Sequence, residues 1–505
     1  MNSKMIYLHK VARTFRYVNR CSSNVASNIA DSTIFSLSSG YGKCGVSVIR
    51  VSGPRTRHAM EAIIGSRREL KARYAYLKSF NHPKTKEVID KGLVLWFPGP
   101  ASFTGEDSCE FQVHGSLAVV AAMLDALGTV EGLRPAAAGE FTKRAFYGGK
   151  IDLTEVEGLA DLIHSETEAQ RKQALLQSSG ALSRVYDSWR RRLIRCSAHL
   201  EAYIDFAEEE NIEDDVVLQL SKELRRIISE IRNHLNDQRQ GELLRNGVRT
   251  TIIGAPNVGK SSLLNMICQR EIAIVTPIAG TTRDIIESTH NFGGYPVIFA
   301  DTAGLHKNTD DIVELKGIGK AKECLQNADL ILLLTDAREL LKNITTLKCS
   351  LHEYQVAYLK QLDLDVNSLV DKRIQLIANK IDLLSPEELQ KLMKIYNLFC
   401  ISCKQPKADV VNPFLKGFEG ILRELCGQPT AEHPRITHER YRQQLERCIE
   451  HINIFLDEYA PDIFPDTAIS AQKLRNALKC IERITGHVSS DDILDVVFKD
   501  FCIGK

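Results

Sequence analysis

The sequence predicts a multidomain chain of mixed α+β and α/β class. It consists of an N-terminal α+β domain, a helical domain, and a phosphate-loop α/β domain of Ras-like type inserted into the helical one. Three observations carry this. At 505 residues and 44% hydrophobic content the chain exceeds one core, since single cores rarely grow past about 250 to 300 residues. Between about 246 and 428, short apolar runs alternate with helical stretches, the rhythm of a mostly parallel sheet. Helical periodicity stands on both sides of that block, and one helical domain interrupted by a guest gives the two apolar stripes a common partner.

Residues 1–30 carry Lys4, Lys10, Arg13, Arg16 and Arg20 and no acid, with Ile6, Leu8, Val11, Phe15 and Val18 at spacings that a helix brings to one face. This is the pattern of a mitochondrial transit peptide, and it predicts delivery to the matrix. The whole chain has a net charge of +1, which excludes a histone-like polycation; without the first 30 residues the balance is 60 basic to 64 acidic, a net of −4. No apolar run approaches the roughly 18 residues that span a bilayer. The 13 cysteines are too sparse for a disulfide scaffold, and the closest spacing, Cys400 to Cys403 in LFCISC, reads as a buried strand end rather than half of a zinc site.

Residues 31–150 form the α+β segment, with strand-like runs at Val46 to Val51, Val88 to Phe97 and Cys109 to His114 between Gly and Pro breakers. Residues 151–245 are helical. Leu182, Val185, Trp189, Leu193, Cys196 and Leu200 make one stripe, and Val217, Leu220, Leu224, Ile228, Ile231 and Leu235 a second, on two long antiparallel helices. Residues 246–428 hold the α/β block. Residues 429–505 return to helix through Tyr441, Leu445, Cys448, Ile452, Phe455 and Tyr459, and end in a helix capped by Ser489 or Ser490 that carries Ile493, Leu494, Val497, Phe498 and Phe501. The stretch from Leu340 to Asp371 carries no readable motif and is expected to be a surface elaboration.

GAPNVGKSS, Gly254 to Ser262, fits the phosphate-loop pattern after a strand and before a helix. Its glycines let backbone N–H groups face phosphates, Lys260 supplies a point charge, and Ser261 can ligate Mg²⁺. DTAG at Asp301 to Gly304 and NKID at Asn379 to Asp382 each follow a strand. Asp382 can accept from N1 and the exocyclic amine of guanine, whereas adenine presents the reverse pattern, so the expected nucleotide is GTP. The candidate contacts are Asn257, Val258, Gly259, Lys260, Ser261 and Ser262; Thr276, Thr281 and Thr282; Asp301, Thr302, Ala303 and Gly304; and Asn379, Lys380, Asp382, Ser402 and Cys403. Thr282 would complete the Mg²⁺ site with Ser261. Leu305 stands where Ras-like proteins carry a water-orienting Gln, and a leucine cannot polarise water. Asn257 offers a carbonyl that can hold a monovalent cation beside the phosphates, or serves as a turn residue; the residue types alone leave both open.

With these motifs the chain resembles the MnmE (TrmE) family of tRNA-modifying GTPases, in its mitochondrial branch, from about residue 31 to 505. The matching blocks are GVSVIRVSG (Gly45 to Gly53), FPGPASFTGEDSCEFQVHG (Phe97 to Gly115), RPAAAGEFTKRAFYGGKIDL (Arg134 to Leu153) and the terminal FCIGK. The resemblance implies a folate-binding, dimerising N-terminal domain and a potassium-dependent GTPase, with Asn257, Thr276, Ile278 and Thr281 as K⁺ ligands and Glu314 orienting water in place of the missing Gln. It implies that Arg50, Glu110, Lys150 and Lys505 contact 5,10-methylene- or 5-formyl-tetrahydrofolate. The two Lys and the Arg suit its glutamate tail, and the carboxylate suits the pterin edge. Cys502 would face the same pocket, as a nucleophile or as a packing group.

The implied activity is that of a homodimer which, with a flavin-containing (FAD) MnmG-like partner, adds an aminomethyl-type group to C5 of the wobble uridine of mitochondrial tRNA. The amine would be glycine, taurine or ammonium. The rival reading is an RNA-binding GTPase switch of ribosome assembly or translation, of the Era-like kind, whose GXXG RNA module is not visible here. Since the mature chain would be net acidic, tRNA must be met locally; Arg190 to Arg192 with Arg195, and Arg435, Arg440 and Arg442, are the candidate basic patches.

Overall fold

The computed structural model describes residues 32–66, 69–206, 215–268, 273–274, 289–299, 324–346, 349–395, 397–406, 408–430, 432–458, 467–488, 494, 497–498, 501 and 504. The chain divides into two compact units, residues 1–160 with 482–505, and residues 161–481. This division falls at other positions than the changes of periodicity along the sequence.

In the first unit, β1 (Thr33–Leu37), β2 (Cys44–Ser52), β3 (Tyr76–Asn81), β4 (Val88–Phe97), β5 (Ser108–Gly115) and β6 (Leu133–Pro135) form one sheet in the order β3-β4-β5-β2-β1-β6. All pairs are antiparallel except β1 with β6. Alternation along the strands turns Ile49, Val51, Phe80, Val94, Phe111 and Val113 to one face, where they pack with Ala59, Met60 and Ile63 of α1 (Thr56–Ile64) and Val120, Met123 and Leu127 of α2 (Leu117–Gly128). Ser116 caps α2 by accepting from the Val119 N–H at 3.1 Å. α3 (Glu140–Tyr147) and α4 (Leu153–His164) follow. Leu153 and Val156 of α4 share a small core with Leu494, Phe498 and Phe501, so the end of the chain belongs to this unit.

The second unit begins its helices with α5 (Glu168–Ser178), α6 (Ala181–Phe206), α7 (Asp215–Leu235) and α8 (Gln240–Asn246). Tyr186 meets His234, Trp189 meets Glu230 and Arg192 meets Glu223, an inverse order that makes α6 and α7 antiparallel. The seven-stranded sheet comes next: β7 (Val248–Ile253), β8 (Ala273–Ile274), β9 (Thr289–Phe292), β10 (Tyr295–Phe299), β11 (Leu330–Asp336), β12 (Arg373–Asn379) and β13 (Leu398–Cys400), in the order β13-β12-β11-β7-β10-β9-β8. β13, β12, β11, β7 and β10 are mutually parallel. The helices interleaved with them are α9 (Lys260–Cys268), α10 (Ala337–Thr346), α11 (Leu351–Gln361), α12 (Pro386–Met393) and α13 (Ala408–Cys426). Both faces of this sheet are covered, which explains the unbroken run LILLL in β11. Leu330, Leu332 and Leu334 pack with α9 and α13, while Ile331 and Leu333 pack with α10 and α11.

The expectation of a surface elaboration at 340–371 is corrected here. Leu340, Leu341, Tyr354, Tyr358, Leu359 and Leu369 are all buried, in the core on the second face of the sheet. The signal is periodic rather than a motif: Ala337, Leu340, Leu341 and Ile344 on α10, and Leu351, Tyr354 and Tyr358 on α11, stand at the helical spacing of a buried face.

α14 (Glu439–Glu458) and α15 (Thr467–Thr485) complete the unit. The helical segments that precede and follow the α/β block pack together. Tyr186 and Tyr441 rings lie 6.0 Å apart edge-on, Thr437 donates to Gln177 at 2.7 Å, and Arg245 of α8 and His438 both reach Asp161 at 2.8 and 3.4 Å. Leu445, Cys448, Ile452 and Phe455 of α14 are buried as their spacing predicts. No helix among the described residues is long and apolar enough to cross a membrane.

Candidate nucleotide-binding site

β7 ends in Ile253 and the chain turns at once through Gly254 to Gly259 into α9. The turn requires its glycines. A Cβ on Gly254 would overlap the Leu334 carbonyl and one on Gly259 the Asn379 amide, and Gly259 has φ 105°. Asn257 sits exposed at φ 59°, a left-handed position that asparagine tolerates better than most residues. Leu263 N–H bonds the Gly259 carbonyl at 2.9 Å, closing the first helical turn behind Lys260, Ser261 and Ser262. The Lys260 ammonium is half-buried and donates to the Gly254 and Ala255 carbonyls, each at 2.9 Å. Burial holds it below the ordinary lysine range, and no carboxylate pairs with it among the described residues.

Asn379, at the end of β12, joins two loops. Its Nδ2 donates to the carbonyl of buried Val258 at 2.8 Å, and its Oδ1 accepts from the Cys403 N–H at 3.1 Å. Lys380 takes φ 65° and places its ammonium 3.3 Å from Asp336. Burial raises the Asp336 carboxyl, but hydrogen bonds from Arg338 and Lys380 more than offset this and hold it below the ordinary range. Asp382 is exposed, and one of its oxygens accepts from buried Ser402 Oγ at 2.5 Å, which in turn accepts from Gln405 N–H. Burial pushes the Cys400 and Cys403 thiols up to about 11, so both are neutral packing groups at neutral pH. Asn379 thus ties the glycine turn to the Cys403 loop, and Ser402 of that loop holds the exposed carboxylate of Asp382.

The first unit gathers a different cluster. Arg50 on β2 lies directly across from Glu110 on β5, and its Nη2 and Nε donate to Glu110 Oε1 at 2.8 and 3.0 Å. The guanidinium carbon lies 5.4 Å from the Phe103 ring and 5.8 Å from that of Phe141. Lys150 is exposed and donates to the Pro100 carbonyl at 2.9 Å. Gly504 accepts from Ser38 Oγ at 2.8 Å, and its close approach to the Leu37 carbonyl leaves no room for a Cβ. Arg50 and Glu110 therefore meet each other, which a reading of each as a separate ligand contact did not include. Beside them, buried Arg144 bonds Glu106 and Glu140.

Two family models match the chain, one described as the MnmE helical domain over residues 153–502 and one as the GTP-binding protein TrmE N-terminus over 33–150. The chain belongs to the MnmE (TrmE) family. Within it, the chain is 48% identical to the mitochondrial 5-taurinomethyluridine-[tRNA] synthase subunit GTPB3 of Danio rerio, over 94% of this chain and 93% of that protein. It is 42% identical to the Homo sapiens protein of the same name, over 97% and 96%. The tRNA modification GTPase MnmE of Rickettsia rickettsii is 41% identical, over 94% of this chain and 100% of its own length.

Of the residues expected to serve an MnmE-type site, Thr276, Ile278, Thr281, Thr282, Asp301, Thr302, Ala303, Gly304, Glu314, Cys502 and Lys505 lie outside the described residues. The structure brings together Val258, Gly259, Lys260, Asn379, Asp382, Ser402 and Cys403. Sequence reasoning missed Asp336, which pins Lys380 through the pairing of β11 with β12, and Phe103 and Phe141, which reach Arg50 from the loop before β5 and from α3; no local pattern reports either approach.

The basic patches expected for tRNA are corrected at Arg190 to Arg192, Arg435 and Arg442. Arg192 pairs with Glu223 and Glu230, Arg190 and Arg191 with Asp187, and Arg442 with Asp237 and Glu242. Arg435 is spent on Gln240 and the Cys426 carbonyl. Arg192, Arg435 and Arg442 fasten helices and turns to one another, whereas Arg190 and Arg191 are matched by Asp187 within α6.

Proposed function

We propose that this chain is a mitochondrial GTPase that acts in tRNA wobble-uridine modification, adding an aminomethyl-type group at C5 with a flavin-containing partner and a tetrahydrofolate one-carbon donor. The observation that carries the reading is the frame built by Asn379. It ties a turn fit for phosphates to the Cys403 loop, whose Ser402 holds the carboxylate of Asp382, an arrangement that recognition of one guanine nucleotide requires. Lys260, held only by carbonyls, suits a phosphate anion. The relatives' names, tRNA modification GTPase and 5-taurinomethyluridine-[tRNA] synthase subunit, support the RNA substrate, the word subunit supports a partner, and taurine becomes the favoured amine.

In this reading the α/β block is a guest within the helical domain, and the chain works as a homodimer. Ser261 and Thr282 hold Mg²⁺, which screens the phosphate charge. Asn257, Thr276, Ile278 and Thr281 hold K⁺, and Glu314 orients the attacking water. Arg50, Glu110, Lys150 and Lys505 receive the folate. The residues present fit a folate, since the Arg50–Glu110 pair, flanked by the Phe103 and Phe141 rings, offers donors and acceptors side by side for a pterin edge, and exposed Lys150 offers a cation for the glutamate tail. Equal hydrolysis rates in potassium and sodium would remove the K⁺ assignment.

The test is the nucleoside content of mitochondrial tRNA from cells lacking the gene, complemented with the wild type or with Lys260→Ala. Loss of the C5-modified wobble uridine, restored by the wild type alone, is expected. Its persistence in the deletion strain would end the proposal.

A further inference from the structure

Helix α11 reaches the nucleotide loop through one side chain. Tyr358 is 2% exposed, its hydroxyl accepts from the Ala255 N–H at 2.9 Å and donates to the Leu334 carbonyl at 3.1 Å. It thereby ties the loop to the end of β11. The same peptide unit, Gly254 to Ala255, is held at its other end by Lys260, whose ammonium takes the Gly254 carbonyl. If Lys260 turns to a phosphate, the peptide loses the ammonium and keeps Tyr358. The next turn of the same helix supplies an internal comparison, because Tyr354 stacks on Tyr358 with ring centroids 5.6 Å apart and 14° between planes. Its hydroxyl, however, bonds Thr335 Oγ1 at 2.6 Å and not the loop.

We propose that Tyr358 is a positioning residue for nucleotide binding, which fixes the direction of the Gly254–Ala255 peptide and with it the N–H groups that follow. The inference rests on the guanine-nucleotide reading above. It assigns a role to a segment whose sequence shows no motif. A buried hydroxyl that both accepts from and donates to backbone leaves two polar groups unsatisfied when removed, while phenylalanine keeps the ring packing.

The experiment measures dissociation constants of fluorescent N-methylanthraniloyl-GDP and -GTP on the full chain for the wild type, Tyr358→Phe and Tyr354→Phe, with a melting curve for each. Tyr358→Phe should weaken both nucleotides about tenfold, and Tyr354→Phe should leave them within about twofold, although each variant loses a buried hydrogen bond. Three outcomes overturn the inference: Tyr358→Phe binding like the wild type, both variants weakened alike, or a loss of affinity that only tracks a fall in melting temperature. A wild-type chain that binds no guanine nucleotide would instead overturn the reading of the site itself.

Discussion

The two charged sites of this molecule hold their principal cations in opposite ways. Lys260 rests on two neutral carbonyls, while Arg50 is already matched by the carboxylate of Glu110. A cation held by dipoles and depressed by burial gains its first counter-charge from the ligand, so it contributes mainly to affinity. A cation in an ion pair must share or exchange a carboxylate, so it contributes mainly to selection. Such a pair rewards only a ligand that satisfies both partners. The first arrangement suits a nucleotide's phosphates, the second a ligand edge that carries donors and acceptors side by side.

The largest expected effect is at the unpaired cation. Lys260→Ala should lower GTP hydrolysis by about a thousandfold, because the charge that faces the phosphates has no neighbouring substitute. Steady-state phosphate release measures it, and a loss under tenfold would break the contrast. A smaller effect is expected at the pair. Arg50→Ala and Glu110→Ala should each weaken binding of 5-formyl-tetrahydrofolate by about tenfold, since each leaves the other charge alone. The double substitution should then cost less than the two together. Strict additivity in calorimetric titration would show that the pair is not used as a unit. In stability the pair is worth about 1 kcal/mol or less, being partly exposed.

The units also differ in their response to acid. In the second unit, burial pushes the His234 imidazole down to about 4 from its ordinary 6.5. An unfolded chain takes up the proton first, so stability is complete above pH 6.5 and falls by about 3 kcal/mol as the pH drops toward 4. In the first unit, burial raises Glu140, but the Arg134 and Arg144 guanidiniums and the Ala137 N–H outweigh that and hold it below its ordinary 4.5. Its contribution is therefore complete above pH 4.5 and lost below. The two tryptophans report separately, Trp96 on β4 and Trp189 on α6. Urea melts followed in Trp96→Phe and Trp189→Phe backgrounds should show the second unit weakening first between pH 6.5 and 5, and His234→Phe should flatten that slope. A first unit that weakens earlier would contradict the assignment.

What could be read from the sequence follows the range of the interactions. The phosphate loop is a local backbone event, fixed by glycines within nine residues, and the unbroken apolar run of β11 and the α14 stripe are signals of one element each. The Arg50–Glu110 pair depends on the register of strands 60 residues apart, and Tyr358 meets Ala255 across 103. The arginine clusters on α6 and beyond Gly427 read as patches because their carboxylates, Glu223, Glu230, Asp237 and Glu242, lie on other helices or turns. Charge counted along a chain does not reveal charge already paired in space.

The proposed choice of guanine turns on the frame that links the glycine turn to Asp382, and its most direct test exchanges what that carboxylate can accept. Asp382→Asn presents a donor where the carboxylate presented only acceptors, so it should lose GTP binding by about a hundredfold or more and gain xanthosine triphosphate, whose exocyclic oxygen accepts. The two affinities, measured by competition against a fluorescent nucleotide on wild type and variant, should cross. A variant that binds GTP as the wild type does would show that Asp382 does not read the base.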